Sequence, residues 1–306
     1  MIEIRRVLCP IDFSDCSRHA LTHAVAIGKW YESAVTMFYA CAPVPISAYA
    51  TVAPMMPSSL VGGENLNDVR KAMEDLATTL KTANVPLEIA IGEGQAAKEI
   101  VARAADEKSD LIVMGTHGRS GFERLMLGSV TERVLRRAGC PVLTVPPRAG
   151  DHAAGAPVVF KRILCAVDFS ACSLRALDYA ISMAEESNAT LTVVHVIEPL
   201  PQMPYPGQEA MLPFNIVQDY IKTAEEQGKE LLAKAIPEDA RNYCRVETVQ
   251  RLGKPYREIL SLAETEAADL IVIGVHGRTA ADLLFFGSTT QHVVREAACP
   301  VLTIRT

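Results

Sequence analysis

Hydrophobic residues along this chain follow two alternating patterns. Short runs rich in Val, Ile and Leu predict β-strands at 6–11, 35–41, 87–91, 110–115 and 142–145. Between these runs, apolar residues recur every three to four positions, which predicts helices at 14–31, 65–83, 96–107 and 129–137. Ser14 can serve as the N-cap of the first helix. Because the strands are almost continuously apolar, we expect each to be buried on both faces, in a parallel sheet covered by helices.

The same pattern occurs twice. Residues 6–24 align without gaps on 162–180 with 11 identities in 19, and 109–145 align on 268–304 with 20 identities in 37. The offset between the copies grows from 156 to 159 residues, so the second copy contains a net insertion of three residues. A repeat of this length is a duplicated domain and not a solenoid period.

The duplication defines the expected architecture. Residues 147–157 lack apolar periodicity, as is typical of a linker, so we predict two domains, 1–147 and 158–306. Each is predicted to be an α/β domain with an open, doubly wound parallel sheet of five strands. In such sheets ligands bind outside the carboxyl ends of the strands, where the strand order reverses. The segments that follow the first and fourth strands therefore form the candidate site.

Composition and charge exclude several classes of protein. The chain of 306 residues is 49% hydrophobic and 22% charged, as expected of a globular protein. Its 30 Lys and Arg and 36 Asp and Glu give a net charge of −6, all of it in residues 151–306. Without a basic block, nucleic-acid binding is disfavoured. The N-terminus lacks a signal-peptide pattern and no apolar run approaches the ~20 residues of a membrane span, so we expect a cytoplasmic protein without membrane contact.

Cysteine spacing agrees with a cytoplasmic protein. Six of the eight cysteines match in pairs between the two copies, as duplication explains, and there is no C-x-x-C pair. The sequence therefore indicates thiols and predicts no metal site.

Glycines at a fixed spacing follow the fourth strand of both copies. The pattern is Gly-x-x-Gly, nine residues and then Gly-Ser, and it begins at Gly115 and at Gly274. Glycine lets the backbone turn sharply and approach a ligand. The later Gly-Ser opens a helix, whose free amides and macrodipole favour an anion. The pattern predicts a phosphate site, although turn geometry alone would also retain these glycines.

Side chains near the glycines add to this prediction. Ser129 with Glu132, and Ser288 with Gln291, have the spacing of a capping box. Hydroxyl donors are available from the start of both helices, and an arginine follows each glycine turn, so the expected contributors are Ser129, Thr131, Ser288, Thr290, Arg119 and Arg278.

An acidic residue ends the first strand of each copy. Asp12 and Asp168 both lie in the sequence Asp-Phe-Ser. At the carboxyl edge of the sheet, such a carboxylate can accept hydrogen bonds from an adenine amine or a ribose hydroxyl. Alternatively, it forms a turn with Ser14 or Ser170 at the start of the following helix.

Together these motifs resemble a known family. Asp-Phe-Ser after the first strand, Gly-x2-Gly-x9-Gly-Ser after the fourth and the closing Cys-Pro-Val-Leu are similar to the universal stress protein (UspA-type) domain, here in tandem. The glycine spacing resembles that of the ATP-binding branch. The resemblance implies a Rossmann-like, adenine nucleotide alpha hydrolase-like fold with strand order 3-2-1-4-5, and pairing of the two fifth strands within the chain, as an intrachain pseudo-dimer. A homodimer of the chain is a further expectation.

The resemblance also assigns roles to residues. It implies that Asp12, Asp168, Ala40 and Val196 face the adenine and ribose, with Gly115 and Gly274 lining the ribose. The phosphates would be held by Gly118, Gly128, Ser129, Val130, Gly277, Gly287, Ser288 and Thr289. The ligand it implies is ATP, with Mg²⁺ held by the phosphates. Ala40 departs from the family, which more often has Val there, as at Val196.

Catalysis is not indicated by the sequence. His117 and His276 lie inside the glycine turns, but neither has an identifiable carboxylate or nucleophile partner, so we interpret them as shaping the loop. No G-x-x-x-x-G-K-[ST] phosphate loop occurs, and no positioned base or charge clamp can be assigned. We expect an ATP-binding protein with a regulatory or stress-tolerance role. The alternatives are a weak ATPase and an interaction scaffold with empty nucleotide pockets.

Long loops rich in Pro and Met follow the second strand of each copy, at 42–63 and 197–215. Loops of this length are commonly functional. They are expected to form a lid over the nucleotide, a Met-rich partner surface, or a crossover that packs on its own domain.

Overall fold

A computed structural model describes residues 2–41, 65–80, 85–118, 127–147, 158, 160–199, 214–277 and 286–305. These residues form two compact units, consisting mainly of Glu3–Pro147 and Val159–Thr306. We call them the first and the second unit.

Each unit contains five parallel strands joined by helices. In the first unit the order is β1 (Arg6–Pro10), α1 (Asp15–Trp30), β2 (Ala34–Cys41), α2 (Leu66–Thr79), β3 (Leu87–Glu93), α3 (Ala96–Asp106), β4 (Leu111–Gly115), α4 (Ser129–Arg137) and β5 (Val142–Val145). In the second unit it is β6 (Arg162–Ala166), α5 (Ala171–Ser187), β7 (Thr190–Ile197), α6 (Phe214–Ala235), α7 (Ala240–Tyr243), β8 (Arg245–Leu252), α8 (Pro255–Thr265), β9 (Leu270–Gly274), α9 (Ser288–Glu296) and β10 (Val301–Ile304).

The strand order is β3-β2-β1-β4-β5 in the first unit and β8-β7-β6-β9-β10 in the second. Both are the predicted 3-2-1-4-5 order, and every strand pair within a unit is parallel. The order reverses between β1 and β4, and between β6 and β9. The first and fourth strands are therefore neighbours, and the segments that follow them meet at one edge.

The core consists of the strands and the inner faces of the helices. All residues of β4 and β9 are buried, as the continuous apolar runs predicted. On α1 the side chains of Ala20, Leu21, Ala24 and Ile27 are fully buried, and Ser14 caps the helix by accepting a hydrogen bond from the amide of Ser17. A helical periodicity of 3.6 places these four side chains on the face that packs on the sheet.

Most predicted element boundaries agree with the structure to within two residues. β3 continues to Glu93, two residues beyond the predicted end, because its pairing with β2 extends to Cys41. The helix predicted at 65–83 is described from Leu66 to Thr79 with Leu80 as its C-cap, and 81–84 lie outside the described residues. The linker at 147–157 and the loops at 42–63 and 197–215 also lie largely outside them, so the expected lid or partner surface stays a prediction.

None of the helices in the described part of the chain is long and apolar enough to cross a membrane. All eight cysteines are described, and none forms a disulfide.

Candidate functional site

The turn between β1 and α1 holds Asp12 in a defined orientation. Its Oδ1 accepts hydrogen bonds from the amide of Ser14 at 3.0 Å and from the hydroxyl of Ser14 at 2.5 Å. Asp168 and Ser170 repeat this at 3.0 and 2.6 Å. The turn with the following serine, predicted as the alternative role of each aspartate, is thus present in both units. Its hydrogen bonds use the Oδ1 atom of the carboxylate.

The residue after each aspartate adopts an unusual backbone conformation. Phe13 and Phe169 both have φ of 64°, in the left-handed region that bulky residues rarely adopt. Strain of this kind costs of order 1–3 kcal/mol and is concentrated at functional sites. Its occurrence at the same place in both units shows that the turn geometry is part of the fold.

The second carboxylate oxygen lies against the glycine turn. A β-carbon built on Gly118 would be 2.7 Å from Asp12 Oδ2, and one built on Gly277 would be 2.7 Å from Asp168 Oδ2. Any other residue at these positions would collide with the carboxylate. The fold therefore brings the two predicted motifs of each copy into direct contact at the carboxyl edge of the sheet.

Packing explains the other glycines of the motif. A β-carbon on Gly115 would be 2.8 Å from Cys16 Cβ and 3.0 Å from its carbonyl carbon, because α1 crosses β4 there. One on Gly128 would be 3.0 Å from the carbonyl oxygen of Thr116. Gly274 and Gly287 have equivalent contacts in the second unit. Close backbone packing is thus sufficient reason for glycine at these four positions, without a ligand.

The predicted capping boxes are wrong. The N-cap of α4 is Gly128, which has no side chain to cap the helix, and Ser129 is the first helical residue. Counted from Gly128, Glu132 is the fourth helical residue, whereas a capping box needs the acidic side chain at the third. The carboxylate of Glu132 instead accepts a hydrogen bond from Arg136 at 2.8 Å. In α9 the N-cap is likewise Gly287, without a side-chain hydrogen bond, so Ser288 and Gln291 form no capping box.

The absence of a side-chain cap leaves the start of α4 open. The first intrahelical bond runs from the amide of Glu132 to the carbonyl of Gly128. The preceding amides, of Ser129, Val130 and Thr131, have no acceptor within the helix. Ser129 is exposed and Val130 half-buried, as are Ser288 and Thr289 in the second unit. Amides in this position, together with the positive end of the helix dipole, can hold an anion.

Thr131 and Thr290 have a different role from the one predicted. The hydroxyl of Thr131 donates to the carbonyl of Gly115 at 2.9 Å, and that of Thr290 donates to Gly274 at 2.8 Å. Both side chains are buried. Since a hydroxyl has one proton, neither can also donate it to a phosphate. These threonines position the helix start against the end of the fourth strand.

The remaining predicted contacts lie on the neighbouring strand or beyond the described residues. Ala40 and Val196 are half-buried near the ends of β2 and β7, and pair in register with Gly92 and Arg251. Arg119 and Arg278 lie outside the described residues.

One histidine lies in each glycine turn, His117 in the first unit and His276 in the second. His117 Nδ1 lies 2.9 Å from the hydroxyl of Thr116, and His276 is buried.

Burial raises the pKa of the neighbouring Cys16 thiol, and the Asp12 and Asp15 carboxylates raise it further. Cys16 is therefore a thiol at neutral pH and a poor nucleophile.

Sequence reasoning missed an aromatic contact beside each aspartate. The ring of Phe13 lies 5.4 Å from that of Tyr39, whereas Phe169 lies 4.6 Å from the ring of His195. Tyr39 and His195 occupy matching positions of β2 and β7, but both lie outside the two aligned segments, so the sequence comparison did not reveal this contact. The two sites thus share their backbone framework and differ in the side chain behind it.

No three His, Cys, Asp or Glu side chains converge as a metal site among the residues that the structure describes.

Known proteins resemble both units. The sequence model of the universal stress protein family matches residues 3–146 and 160–305. A universal stress protein of Mycolicibacterium smegmatis is 26% identical over 307 residues, covering 98% of this chain and 96% of the relative. One from Methanocaldococcus jannaschii is 35% identical over 147 residues, covering 46% of this chain and 81% of the relative. The crystal structure of a universal stress protein from Archaeoglobus fulgidus has the same fold, with a TM-score of 0.68, 22% identity and 99% of both chains covered. Two complete matches to the family in one polypeptide show that this chain belongs to the universal stress protein family and contains its domain in tandem.

Proposed function

We propose that each unit binds an adenine nucleotide, ATP with Mg²⁺ held by its phosphates, and that the protein acts as a cytoplasmic nucleotide-responsive regulator in stress tolerance. The observation that carries this proposal is the uncapped start of α4 next to the contact between Asp12 and Gly118. The same arrangement in the second unit supports a second site. The resemblance to the ATP-binding branch of the family supports adenine as the base.

Different residues contact the phosphates, the ribose and the adenine of the proposed nucleotide. The phosphates lie at the amides of Ser129 and Val130, where the helix dipole favours negative charge. Asp12 accepts hydrogen bonds from the ribose hydroxyls, and the backbone of Ala40 faces the adenine. In the second unit Ser288, Thr289, Asp168 and Val196 do the same.

Binding without dedicated catalysis fits this site. Phosphoryl transfer needs a base or a positioned water and charge clamps on the transferred group. In the described residues the histidine beside the glycine turn contacts Thr116 and no carboxylate. A weak ATPase and a scaffold that binds no nucleotide are the outcomes against which the proposal is tested.

Calorimetric titration of the full-length protein with MgATP and MgADP tests the proposal. We expect up to two sites per chain. Gly118→Ala together with Gly277→Ala should weaken binding at least about tenfold, because each new β-carbon displaces the aspartate carboxylate. Gly139→Ala is the matched control, since no atom lies within 4 Å of its β-carbon position. Each single variant should retain one site.

Two outcomes would contradict the proposal. Full-strength binding by the double variant would overturn the assignment of Asp12 and Asp168 to the nucleotide, because the new β-carbons displace their carboxylates. Absence of binding by the parent protein would favour the scaffold. Release of inorganic phosphate that depends on His117 would instead support the ATPase.

A further inference from the structure

The side chain of His195 contacts the residues on both sides of Asp168. His195 lies half-buried near the end of β7. Its Nδ1 is 2.9 Å from the carbonyl oxygen of Val167, the residue before the aspartate. Its ring centroid is 4.6 Å from that of Phe169, the residue after the aspartate. One side chain of the neighbouring strand therefore holds the backbone on either side of the Asp168 carboxylate.

The contact with Val167 is a hydrogen bond that His195 donates. A carbonyl oxygen only accepts, so Nδ1 carries the proton. The amide of Val167 in turn donates to the carbonyl of Val194 at 2.9 Å. Both backbone polar groups of Val167 are thus bonded to β7. Val167 is buried, and a buried carbonyl that loses its donor is costly, so the bond from His195 fixes the backbone just before Asp168.

The contact with Phe169 supports an unfavourable backbone conformation. A residue with φ of 64° keeps this conformation only where its surroundings determine it. The turn at Phe169 brings the amide and the hydroxyl of Ser170 to Oδ1 of Asp168, at 3.0 and 2.6 Å. By packing on Phe169, the ring of His195 therefore stabilises the turn that orients the aspartate.

Helix α6 restricts the imidazole from another direction. A β-carbon built on Gly228 would lie 3.1 Å from Cδ2 of His195, so the helix backbone passes close to the ring. Glycine is unfavourable in the interior of a helix, but here it leaves space for this approach. Contacts with Phe169 and with α6 together fix the orientation in which Nδ1 faces Val167.

The first unit has a different side chain at this position. Tyr39 matches His195, and its ring lies 5.4 Å from that of Phe13. Tyrosine has a ring carbon where histidine has Nδ1, so it cannot donate a hydrogen bond from that position. The aromatic packing after the aspartate is therefore common to both units, whereas the histidine bond before it belongs to the second.

We propose that His195 is a positioning residue of the second nucleotide site, which makes this site depend more strongly on the ribose hydroxyls than the first. The inference rests on the proposed function, in which Asp168 accepts hydrogen bonds from the ribose. A carboxylate that is held in place before binding loses less conformational freedom when a ligand hydroxyl donates to it. A site built for such a bond discriminates against a ligand that lacks the hydroxyl. The two sites of one chain therefore differ in their selectivity for ribonucleotides.

Nuclear magnetic resonance on the full-length protein measures the two sites separately. With ¹⁵N-glycine, 18 residues are labelled. The signals of Gly118 and Gly277 report the first and the second site, and each is assigned by its loss in the corresponding alanine variant. The probes are MgATP and the magnesium complex of 2′,3′-dideoxy-ATP, which lacks both ribose hydroxyls. We expect dideoxy-ATP to bind the second site at least about tenfold more weakly than ATP, and the first site with a smaller difference.

Substitutions of His195 separate its hydrogen bond from its packing. His195→Phe keeps a ring but replaces Nδ1 by carbon, and it should reduce the preference for ATP over dideoxy-ATP at the second site at least about threefold. The preference at the first site should not change. His195→Asn places an amide nitrogen at the same number of bonds from the backbone as Nδ1, so it should retain more of the preference than His195→Phe.

His292→Phe is the matched control. Nδ1 of His292 lies 2.8 Å from the carbonyl oxygen of Ser288 within α9, and its ring stacks on Tyr256 at 4.3 Å. The substitution thus removes the same kind of bond and keeps a ring in the same unit, away from Asp168. The preference for ATP over dideoxy-ATP should be that of the parent.

The outcomes distinguish this inference from the function on which it rests. An equal preference at both sites of the parent, or an unchanged preference in His195→Phe with ATP still bound, would overturn the positioning role alone. Equal losses in His195→Phe and His195→Asn would overturn the role of the hydrogen bond. Absence of ATP-induced shifts at both glycines of the parent would overturn the proposed function, and the inference with it. Unchanged signals of the remaining glycines show that a variant is folded.

Discussion

The hydroxyl of Thr131 donates a hydrogen bond to the carbonyl of Gly115, 16 residues earlier in the chain, at 2.9 Å. This bond joins the first turn of α4 to the last residue of β4, and Thr290 and Gly274 repeat it in the second unit. It positions the open helix start at the edge of the sheet, where the phosphates are proposed to bind.

Thr131→Val is expected to lower the free energy of unfolding by about 1–3 kcal/mol, because the buried carbonyl of Gly115 loses its side-chain donor. Urea denaturation measures the change. Thr22→Val is the control, since its hydroxyl makes an exposed bond to the carbonyl of Arg18 within one helix. Equal effects of the two substitutions would show that the bond between α4 and β4 has no special contribution.

Gly115→Ala is expected to destabilise the protein by about 1–3 kcal/mol, the usual range for overpacking in a core. The added β-carbon would lie 3.0 Å from the carbonyl carbon of Cys16, and backbone cannot move aside as a flexible side chain can. Gly139→Ala, whose β-carbon meets no atom within 4 Å, should be close to neutral. Denaturant unfolding of both variants checks this, and a neutral Gly115→Ala would contradict the packing role.

Asp269 gives the second unit a pH-dependent contribution to stability. Its carboxylate accepts hydrogen bonds from the amides of Lys161 and Arg162, but burial outweighs them and raises its pKa above the ordinary value. A raised pKa in the folded state means that the favourable contribution is complete below the unfolded pKa, about 3.9. It is lost as the pH rises through the folded pKa.

Asp269→Asn should therefore destabilise the protein most at low pH, and the destabilisation should decrease as the pH rises. Urea denaturation of the parent and the variant at several pH values between about 4 and 7 measures this difference. A destabilisation that increases with pH would show that the hydrogen bonds from Lys161 and Arg162 dominate over burial.

The cysteines that follow the α4 and α9 helices should be inert toward alkylation in the folded protein. Burial, together with the nearby Asp110 carboxylate, raises the pKa of the Cys140 thiol to about 11, and burial with the Asp269 carboxylate raises that of Cys299 to about 12. The reactive thiolate is therefore scarce at neutral pH. Mass spectrometry after iodoacetamide treatment should find both unmodified in the native protein and modified in urea. Rapid native labelling would contradict the burial.

Local pattern was sufficient to predict the architecture. Buried parallel strands are continuously apolar, and the helices that cover them repeat every 3.6 residues, so element order and type are visible in the chain. The bounds of α4 and β5 match the prediction residue for residue. The duplication was equally visible, because two copies of one fold retain the residues that its turns and core require.

Side-chain direction was not visible in the sequence. Ser129 and Glu132 have the spacing of a capping box, yet the box fails because contact with Thr116 places Gly128 at the N-cap. Thr131 has a hydroxyl suited to phosphate, but it faces Gly115. Such outcomes depend on which atoms another segment places nearby, and sequence spacing does not encode that distance.

The amino-acid sequence was thus enough to predict two tandem α/β domains, their family and the edge of the sheet where we propose that a ligand binds. The contacts of individual residues were decided by the tertiary structure. It brought the Asp12 carboxylate against Gly118 and gave Gly115 a packing function. The physical reason is that periodicity and glycine spacing arise within a single segment, whereas these contacts join segments that become neighbours only when the sheet assembles.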